Sequence, residues 1–229
     1  MDSIEAARLA LNARARRAAA LHGIYAIVND SCHRQRSTTD LVTLARAVVD
    51  AGIRVLQYRA KNGIVPETLR ALRFLARERG VLLIVNDNVE AAVAFDCDGV
   101  HLGPGDAGFD NVAQVRANVG ERLIGLSCGT PDEAVAANAD DADYLGVGSV
   151  YATTSKADAG VPIGIEGLRR IAAVSRHPIA AIGGIAETNV ADVARTGVAM
   201  AATIGAIAAT NDSAAAARRL VTLWESART

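Results

Sequence analysis

The stretch Val81-Leu82-Leu83-Ile84-Val85-Asn86-Asp87-Asn88-Val89-Glu90-Ala91-Ala92-Val93-Ala94-Phe95-Asp96-Cys97-Asp98-Gly99-Val100-His101-Leu102 decides the reading of the fold. Val81–Val85 is a short, unbroken apolar run of the kind found in strands buried on both faces. Asn88–Phe95 has a helical pattern, and Gly99–Leu102 is again strand-like. A strand, a helix and a second strand within so few residues form a βα unit whose strands lie parallel.

The same alternation extends in both directions. Strands are expected at Gly23–Val28, Arg54–Tyr58, Val81–Val85, Gly99–Leu102, Leu123–Leu126, Tyr144–Val147, Pro178–Ile182 and Val198–Ala202. Helices are expected at Thr39–Ala51, Pro66–Gly80, Asn88–Phe95, Asp110–Val119, Pro131–Asn138, Ile165–Ser175, Glu187–Thr196 and Asp212–Ala227. The repeat averages about 29 residues, and eight such units close a single (β/α)8 TIM barrel. A doubly wound sheet is the rival, but the first strand runs into Val28-Asn29-Asp30 with no G-x-G-x-x-G fingerprint. The expected organisation is an N-terminal helical extension over 1–22 and one barrel over 23–229. Leu9, Leu11 and Leu21 lie on or near one face of that first helix.

Composition narrows the function. The chain has 229 residues, 51% hydrophobic and 3% aromatic, so the core is built from Ala, Val, Ile and Leu. A net charge of −1 gives no global pull toward nucleic acid or an anionic membrane. Cys32, Cys97 and Cys128 are widely spaced and odd in number, which speaks against a disulfide framework or zinc ribbon and fits a reducing, cytoplasmic setting. No apolar run is long enough to span a bilayer. The expected partners are small molecules, with a homo-oligomer left open. The 24 cations are 22 Arg and only two Lys, Lys61 and Lys156.

In barrels of this kind the chemistry sits at the C-terminal ends of the strands, and polar residues and glycines accumulate there. Gln57, Arg59 and Lys61 alternate after the second strand, so period two sets them on one face, with Val55 and Tyr58 taken to mark the apolar outer face. An amide with two cations suits a polyphosphate. Asp87 and Asp106 follow the third and fourth strands. Mg2+ takes one or two carboxylates with phosphate oxygens and waters, while the alternative for Asp87 is a helix cap. Gly183-Gly184 and Thr203-Ile204-Gly205 match the phosphate site that many barrels build after strands seven and eight. Thr153, Ser155 and Lys156 add hydroxyl donors and a cation. His101 reads as a satisfied core histidine rather than an acid or base, and Cys128 as a packing residue. His22, His33 and His177 are not spaced as a metal set. Two anion sites, one for a diphosphate with Mg2+ and one for a monophosphate, point to an enzyme that joins two phosphorylated compounds with loss of pyrophosphate.

These segments resemble the thiamine phosphate synthase family. The likeness runs from Tyr25 to about Ile207. It is carried by Gln57-Tyr58-Arg59-Ala60-Lys61, Val85-Asn86-Asp87, Asp98-Gly99-Val100-His101-Leu102-Gly103, Asp106, Gly125-Leu126-Ser127, Asp143 to Gly148, Thr153-Thr154-Ser155-Lys156 and Ala181 to Ile185. It implies a transferase that condenses an aminopyrimidine methyl diphosphate with a thiazole ethyl phosphate by a dissociative substitution. By the same likeness Gln57, Arg59, Lys61, Asn86, Ser127 and Lys156 hold the pyrimidine diphosphate, with Arg59, Lys61, Ser127 and Lys156 the catalytic set. Asp87 and Asp106 hold Mg2+. Thr153, Ser155, Gly183, Gly184, Ile204 and Gly205 hold the thiazole phosphate. The chain departs from the family pattern at Pro104, Gly129 and Gly205. The rivals are a thiazole tautomerase of the same superfamily, disfavoured by the Gln-x-Arg-x-Lys run, the two aspartates and Gly129, and a non-catalytic barrel that binds thiamine phosphates.

Overall fold

The computed structural model describes residues 13–31, 37–155 and 160–229. Eight parallel strands close a barrel: β1 (Gly23–Asn29), β2 (Val55–Arg59), β3 (Leu82–Asn86), β4 (Gly99–Leu102), β5 (Leu123–Cys128), β6 (Tyr144–Val147), β7 (Ile179–Ile182) and β8 (Met200–Thr203). Each strand pairs with the next in chain order, and β8 closes on β1 with Tyr25 opposite Ala202. A helix runs through residues 13–19 and is called α1. The others are α2 (Thr38–Asp50), α3 (Pro66–Arg79), α4 (Val89–Ala94), α5 (Val112–Val119), α6 (Pro131–Ala137), α7 (Gly164–Val174), α8 (Val190–Ala194), α9 (Gly205–Ala208) and α10 (Ser213–Ser226).

All eight expected strands are present, with ends that differ by a residue or so. The helix ends move more, because the first residues of several expected helices act as caps. Asn88, Asn111 and Asp212 each accept a backbone N–H from the first turn instead of joining it. The expected helix over Glu187–Thr196 is shorter, Val190–Ala194. The four-residue α9 was not anticipated. α3 matches its signals: Pro66 opens it, and Gly80 ends it in the left-handed conformation at φ 62°.

Two apolar cores follow from the two faces of every strand. The larger lies between barrel and helices and includes Leu56, Tyr58, Leu69, Leu72 and Leu75. The smaller fills the barrel and includes Tyr25, Ile27, Val55, Ile84, Leu123, Tyr144 and Met200. Val55 therefore points inward with Gln57 and Arg59, which share its parity. Only Tyr58 belongs to the outer face expected for both.

The bottom of the barrel is closed by α1 and the turn after it. Ala18, Ala20 and Leu21 pack against the inner core. Arg14 Nε reaches Asp143 Oδ1 at 2.7 Å, and Arg17 Nε reaches Asp98 Oδ1 at 3.2 Å. Asp98 also accepts from Arg73 Nη1 at 2.8 Å and from the Leu83 N–H at 3.0 Å. Asp143 accepts from Arg116 Nη2 and the Ile124 N–H, both at 2.7 Å. Each aspartate precedes a strand and ties it to the strand before. Leu9 and Leu11 lie outside the described residues.

Candidate active site

A cavity of about 980 Å3 opens at the C-terminal ends of the strands. Thirteen of the fourteen expected site residues line it; Lys156 lies outside the described residues.

β2 contributes Gln57, which is buried, and Arg59, its last residue. The Nη1 atom of Arg59 is buried and has no hydrogen-bond partner among the described residues. A buried guanidinium N–H without an acceptor is costly, so this atom is poised for an anion. Lys61 lies past the strand end, in an exposed turn whose N–H donates to Asp30 Oδ1 at 3.3 Å. The strand period therefore carries Gln57 and Arg59, and Lys61 reaches the same cavity from the turn that follows.

Asn86 ends β3. Asp87 follows in the left-handed region at φ 64°, with its N–H donating to the His101 carbonyl at 2.8 Å. That bond ties the third strand end to the fourth. Asp87 does not cap α4; the Asn88 side chain does, accepting from the Ala91 N–H at 2.7 Å. The alternative role considered for Asp87 is thus filled by its neighbour. Asp106 Oδ2 accepts from the Gly103 N–H at 2.6 Å. A Cβ on Gly103 would lie 3.3 Å from Ser127 Oγ and 3.4 Å from Asp106 Oδ2, so a bare backbone lets both groups crowd this corner. Among the described residues no three His, Cys, Asp or Glu side chains are grouped as a metal cage. Asp87 and Asp106 share the cavity wall.

Thr153 and Ser155 follow β6, with the Ser155 N–H donating to Thr153 Oγ1 at 3.2 Å. Gly183 and Gly184 follow β7 with φ of 103° and 63°. Their lack of side chains has a cause beyond ligand approach. A Cβ on Gly183 would collide with Ser149, and one on Gly184 would lie 2.5 Å from the Ala152 carbonyl. The β6–α7 loop can rest on the β7 loop only if both are glycine. Their N–H groups, with those of Gly205 and Ala206 at the start of α9, donate no hydrogen bond among the described residues. Ile204 stands beside them on the wall.

The floor of the cavity carries residues that the sequence reading passed over. Gln57 Nε2 donates to Tyr25 Oη at 2.8 Å, and Tyr25 Oη lies 2.9 Å from Tyr144 Oη. Tyr144 Oη lies 3.2 Å from His101 Nδ1, and His101 Nε2 lies 3.2 Å from Ser127 Oγ. Burial pushes both phenols up, so they stay neutral. His101 is satisfied, as expected, but it also faces the cavity. The signal for the meeting of Tyr144 with His101 was a pair of glycines inside strands. A Cβ on Gly125 would lie 2.5 Å from His101 Nδ1, and one on Gly146 would lie 2.7 Å from His101 Cε1. Strand glycine marks such close approach.

Cys128 is buried beside the cavity and its Sγ donates to the Thr130 carbonyl. Burial pushes its thiol up to about 11 and that of Cys97 up to about 12. Both are free thiols, and neither supplies a thiolate nucleophile at neutral pH. The three departures from the family pattern, Pro104, Gly129 and Gly205, all line the cavity. Gly129 donates its N–H to Glu133 Oε2 at 2.6 Å, and a Cβ there would meet nothing nearer than 3.6 Å. Packing therefore does not impose glycine at 129. No helix among the described residues is long and apolar enough to cross a membrane.

The chain is similar to known proteins along most of its length. The family model for thiamine monophosphate synthase matches residues 24–207. Thiamine-phosphate synthase from Chloroflexus aurantiacus is 43% identical over 204 residues, covering 87% of this chain and 91% of the relative. The Moorella thermoacetica enzyme of the same name is 41% identical over 200 residues, covering 86% and 93%. The solved thiamine phosphate pyrophosphorylase from Pyrococcus furiosus superposes with a TM-score of 0.81 at 34% identity, covering 93% of this chain and 99% of that one. A likeness that spans the barrel from β1 to α9, in sequence and in three dimensions, places the chain in the thiamine monophosphate synthase family.

Proposed function

We propose that this cavity carries the thiamine-phosphate synthase activity of the family. The pyrimidine diphosphate lies on the β2–β5 side and the thiazole phosphate on the β6–β8 side. The observation that carries this reading is the buried, unpartnered Nη1 of Arg59 on the wall of a cavity that also holds Lys61, Asp87 and Asp106. A guanidinium nitrogen with no acceptor among the described residues, next to a second cation, awaits an anion. The chain is thus a transferase of thiamine biosynthesis, like its relatives. Nothing favours the tautomerase or the non-catalytic barrel.

Arg59, Lys61 and Lys156 bind the diphosphate, and Gln57, Asn86 and Ser127 orient the pyrimidine end. Asp87 and Asp106 are assigned to Mg2+. They fit it because two carboxylates on neighbouring strand ends leave the remaining positions to phosphate oxygens and waters. When bound, Mg2+ neutralises charge on the departing diphosphate. Thr153 and Ser155, with the N–H groups of Gly183, Gly184 and Gly205 that donate to none of the described residues, beside Ile204, hold the thiazole phosphate.

In the reaction the pyrimidine CH2–O bond breaks and its electron pair leaves with the pyrophosphate. The thiazole nitrogen then donates its lone pair to the methylene carbon. No general base is needed, because that nitrogen carries no proton. Arg59, Lys61 and Lys156 stabilise the leaving group, and the two substrates packed together in the barrel mouth keep water from the methylene cation. The test is incubation with both substrates and Mg2+, following pyrophosphate and thiamine phosphate. Equimolar release is expected, and absence of both products overturns the reading.

A further inference from the structure

We propose that Gln57, Tyr25, Tyr144 and His101 form a one-way hydrogen-bond relay that fixes the tautomer of His101 and aims the Ser127 hydroxyl proton into the cavity. Tyr25, Tyr144 and His101 are then positioning residues for Ser127.

The direction follows from one end. The Gln57 amide nitrogen only donates, so Tyr25 Oη accepts from it at 2.8 Å. The proton of Tyr25 then has one acceptor among the described residues, Tyr144 Oη at 2.9 Å. The proton of Tyr144 goes to His101 Nδ1 at 3.2 Å, which must be the bare nitrogen. The ring therefore carries its proton on Nε2 and donates to Ser127 Oγ at 3.2 Å. With an oxygen lone pair so engaged, Ser127 turns its own O–H toward the cavity it lines.

The other protonation patterns are worse. An imidazolium donates at both nitrogens, which turns Tyr144 toward Tyr25 and, with Gln57 Nε2 facing Tyr25, leaves the buried Tyr25 proton with no acceptor among the described residues. The reversed relay needs Gln57 to accept through Oε1, and it makes Ser127 spend its proton on Nε2. Gly125 and Gly146 hold the space in which the rings of His101 and Tyr144 meet, so the relay is built into two strands.

The consequence rests on the functional reading above. A serine that offers a proton stabilises an anionic group in the cavity, whereas one that offers only lone pairs repels it.

The test begins with the free protein, labelled with 15N-histidine, with the His101 signals assigned by loss in His101→Gln. Long-range proton–nitrogen spectra are expected to show a protonated Nε2 and a bare Nδ1 at neutral pH. A protonated Nδ1, or protons on both nitrogens, overturns the relay. Tyr144→Phe and Tyr25→Phe cut it at successive bonds. Both are expected to mix the two tautomers and to lower kcat about tenfold, the worth of one good hydrogen bond, while KM for the thiazole phosphate holds. Wild-type spectra with wild-type kcat in both variants also overturn it. A wild-type protein with the expected tautomer but no thiamine phosphate product overturns the functional reading alone.

Discussion

Arg14 Nε and Asp143 Oδ1 lie 2.7 Å apart although 129 positions separate them, and this pair closes the floor of the barrel. Asp143 is nearly fully buried and satisfies two guanidinium groups and one strand N–H. Removing its charge leaves Arg14 and Arg116 with the half-exposed Asp141 as their one remaining carboxylate among the described residues. Asp143→Asn is expected to destabilise the protein by about 3 kcal/mol. Arg14→Ala leaves Arg116 in place, so a loss of about 1 kcal/mol is expected. Urea unfolding measures both. Equal stabilities for wild type and Asp143→Asn would remove the floor network from the account.

The same floor sets a pH dependence. Burial raises the Asp141 carboxyl, but hydrogen bonds and charge from Arg14 and Arg116 outweigh it and hold the group below its ordinary value of 3.8. A group depressed in the folded state contributes stability that is present above that ordinary value and is lost as pH falls through the folded one. Thermal stability is therefore expected to decline as pH drops below about 4, and less steeply in Asp141→Asn. An identical acid limb in the two proteins would show that Asp141 is not part of the cause.

Gly125 is predicted to tolerate no side chain. A methyl group there collides with Tyr144 and His101, whose rings are held on both sides. Gly125→Ala should lose about 1–3 kcal/mol through overpacking, with a larger loss of activity because Ser127 is displaced. The check is a melting curve beside a turnover assay. Full activity with normal stability would mean that the strands shift to absorb the methyl.

Arg59 should trade stability for function. Its buried Nη1 has no hydrogen-bond partner among the described residues, so truncation removes a cost as well as a contact. Arg59→Ala is expected to lower kcat/KM about 100-fold while leaving the melting temperature unchanged or higher. Arg59→Lys should recover only part of the activity, since an ammonium cannot make the bidentate contact. A clear drop in melting temperature would mean that Arg59 is structural.

The buried thiols should be inert. With Cys128 and Cys97 pushed up to about 11 and about 12, almost none of either is thiolate at pH 8. Site-resolved mass spectrometry after mild alkylation of the folded protein is expected to find both unmodified, and Cys128→Ala active. Rapid labelling of Cys128 would point to local opening at the cavity edge.

Much of the molecule is legible in its sequence. The eight strands were visible because each is a short apolar run between polar strand ends, a pattern that depends only on neighbouring residues. The site was legible for a related reason: in a parallel barrel every strand points its C-terminal end the same way. Residues that follow strands, such as Arg59, Asp87, Asp106 and Gly183, therefore converge on one mouth. What failed were statements about facing and partners. Val55 was set on the outer face, whereas it packs within the barrel. Asp87 was weighed as a cap that Asn88 provides.

By itself the sequence determined the order of elements, the closure into eight units and the chemistry gathered at one rim, since periodicity and strand polarity are local properties. Only the tertiary structure decided which residues touch across the barrel. Tyr25 meets Tyr144 from 119 positions away, and His101 meets Ser127 from 26. Asp98 and Asp143, though they sit in the segments that carry the family likeness, prove to be floor ties and not site residues. The physical reason is that closing the sheet turns alternate side chains of every strand toward a common axis. Once there, the choice of hydrogen-bond partner depends on strand register and available space, which glycines at 125 and 146 create and no short stretch of sequence records.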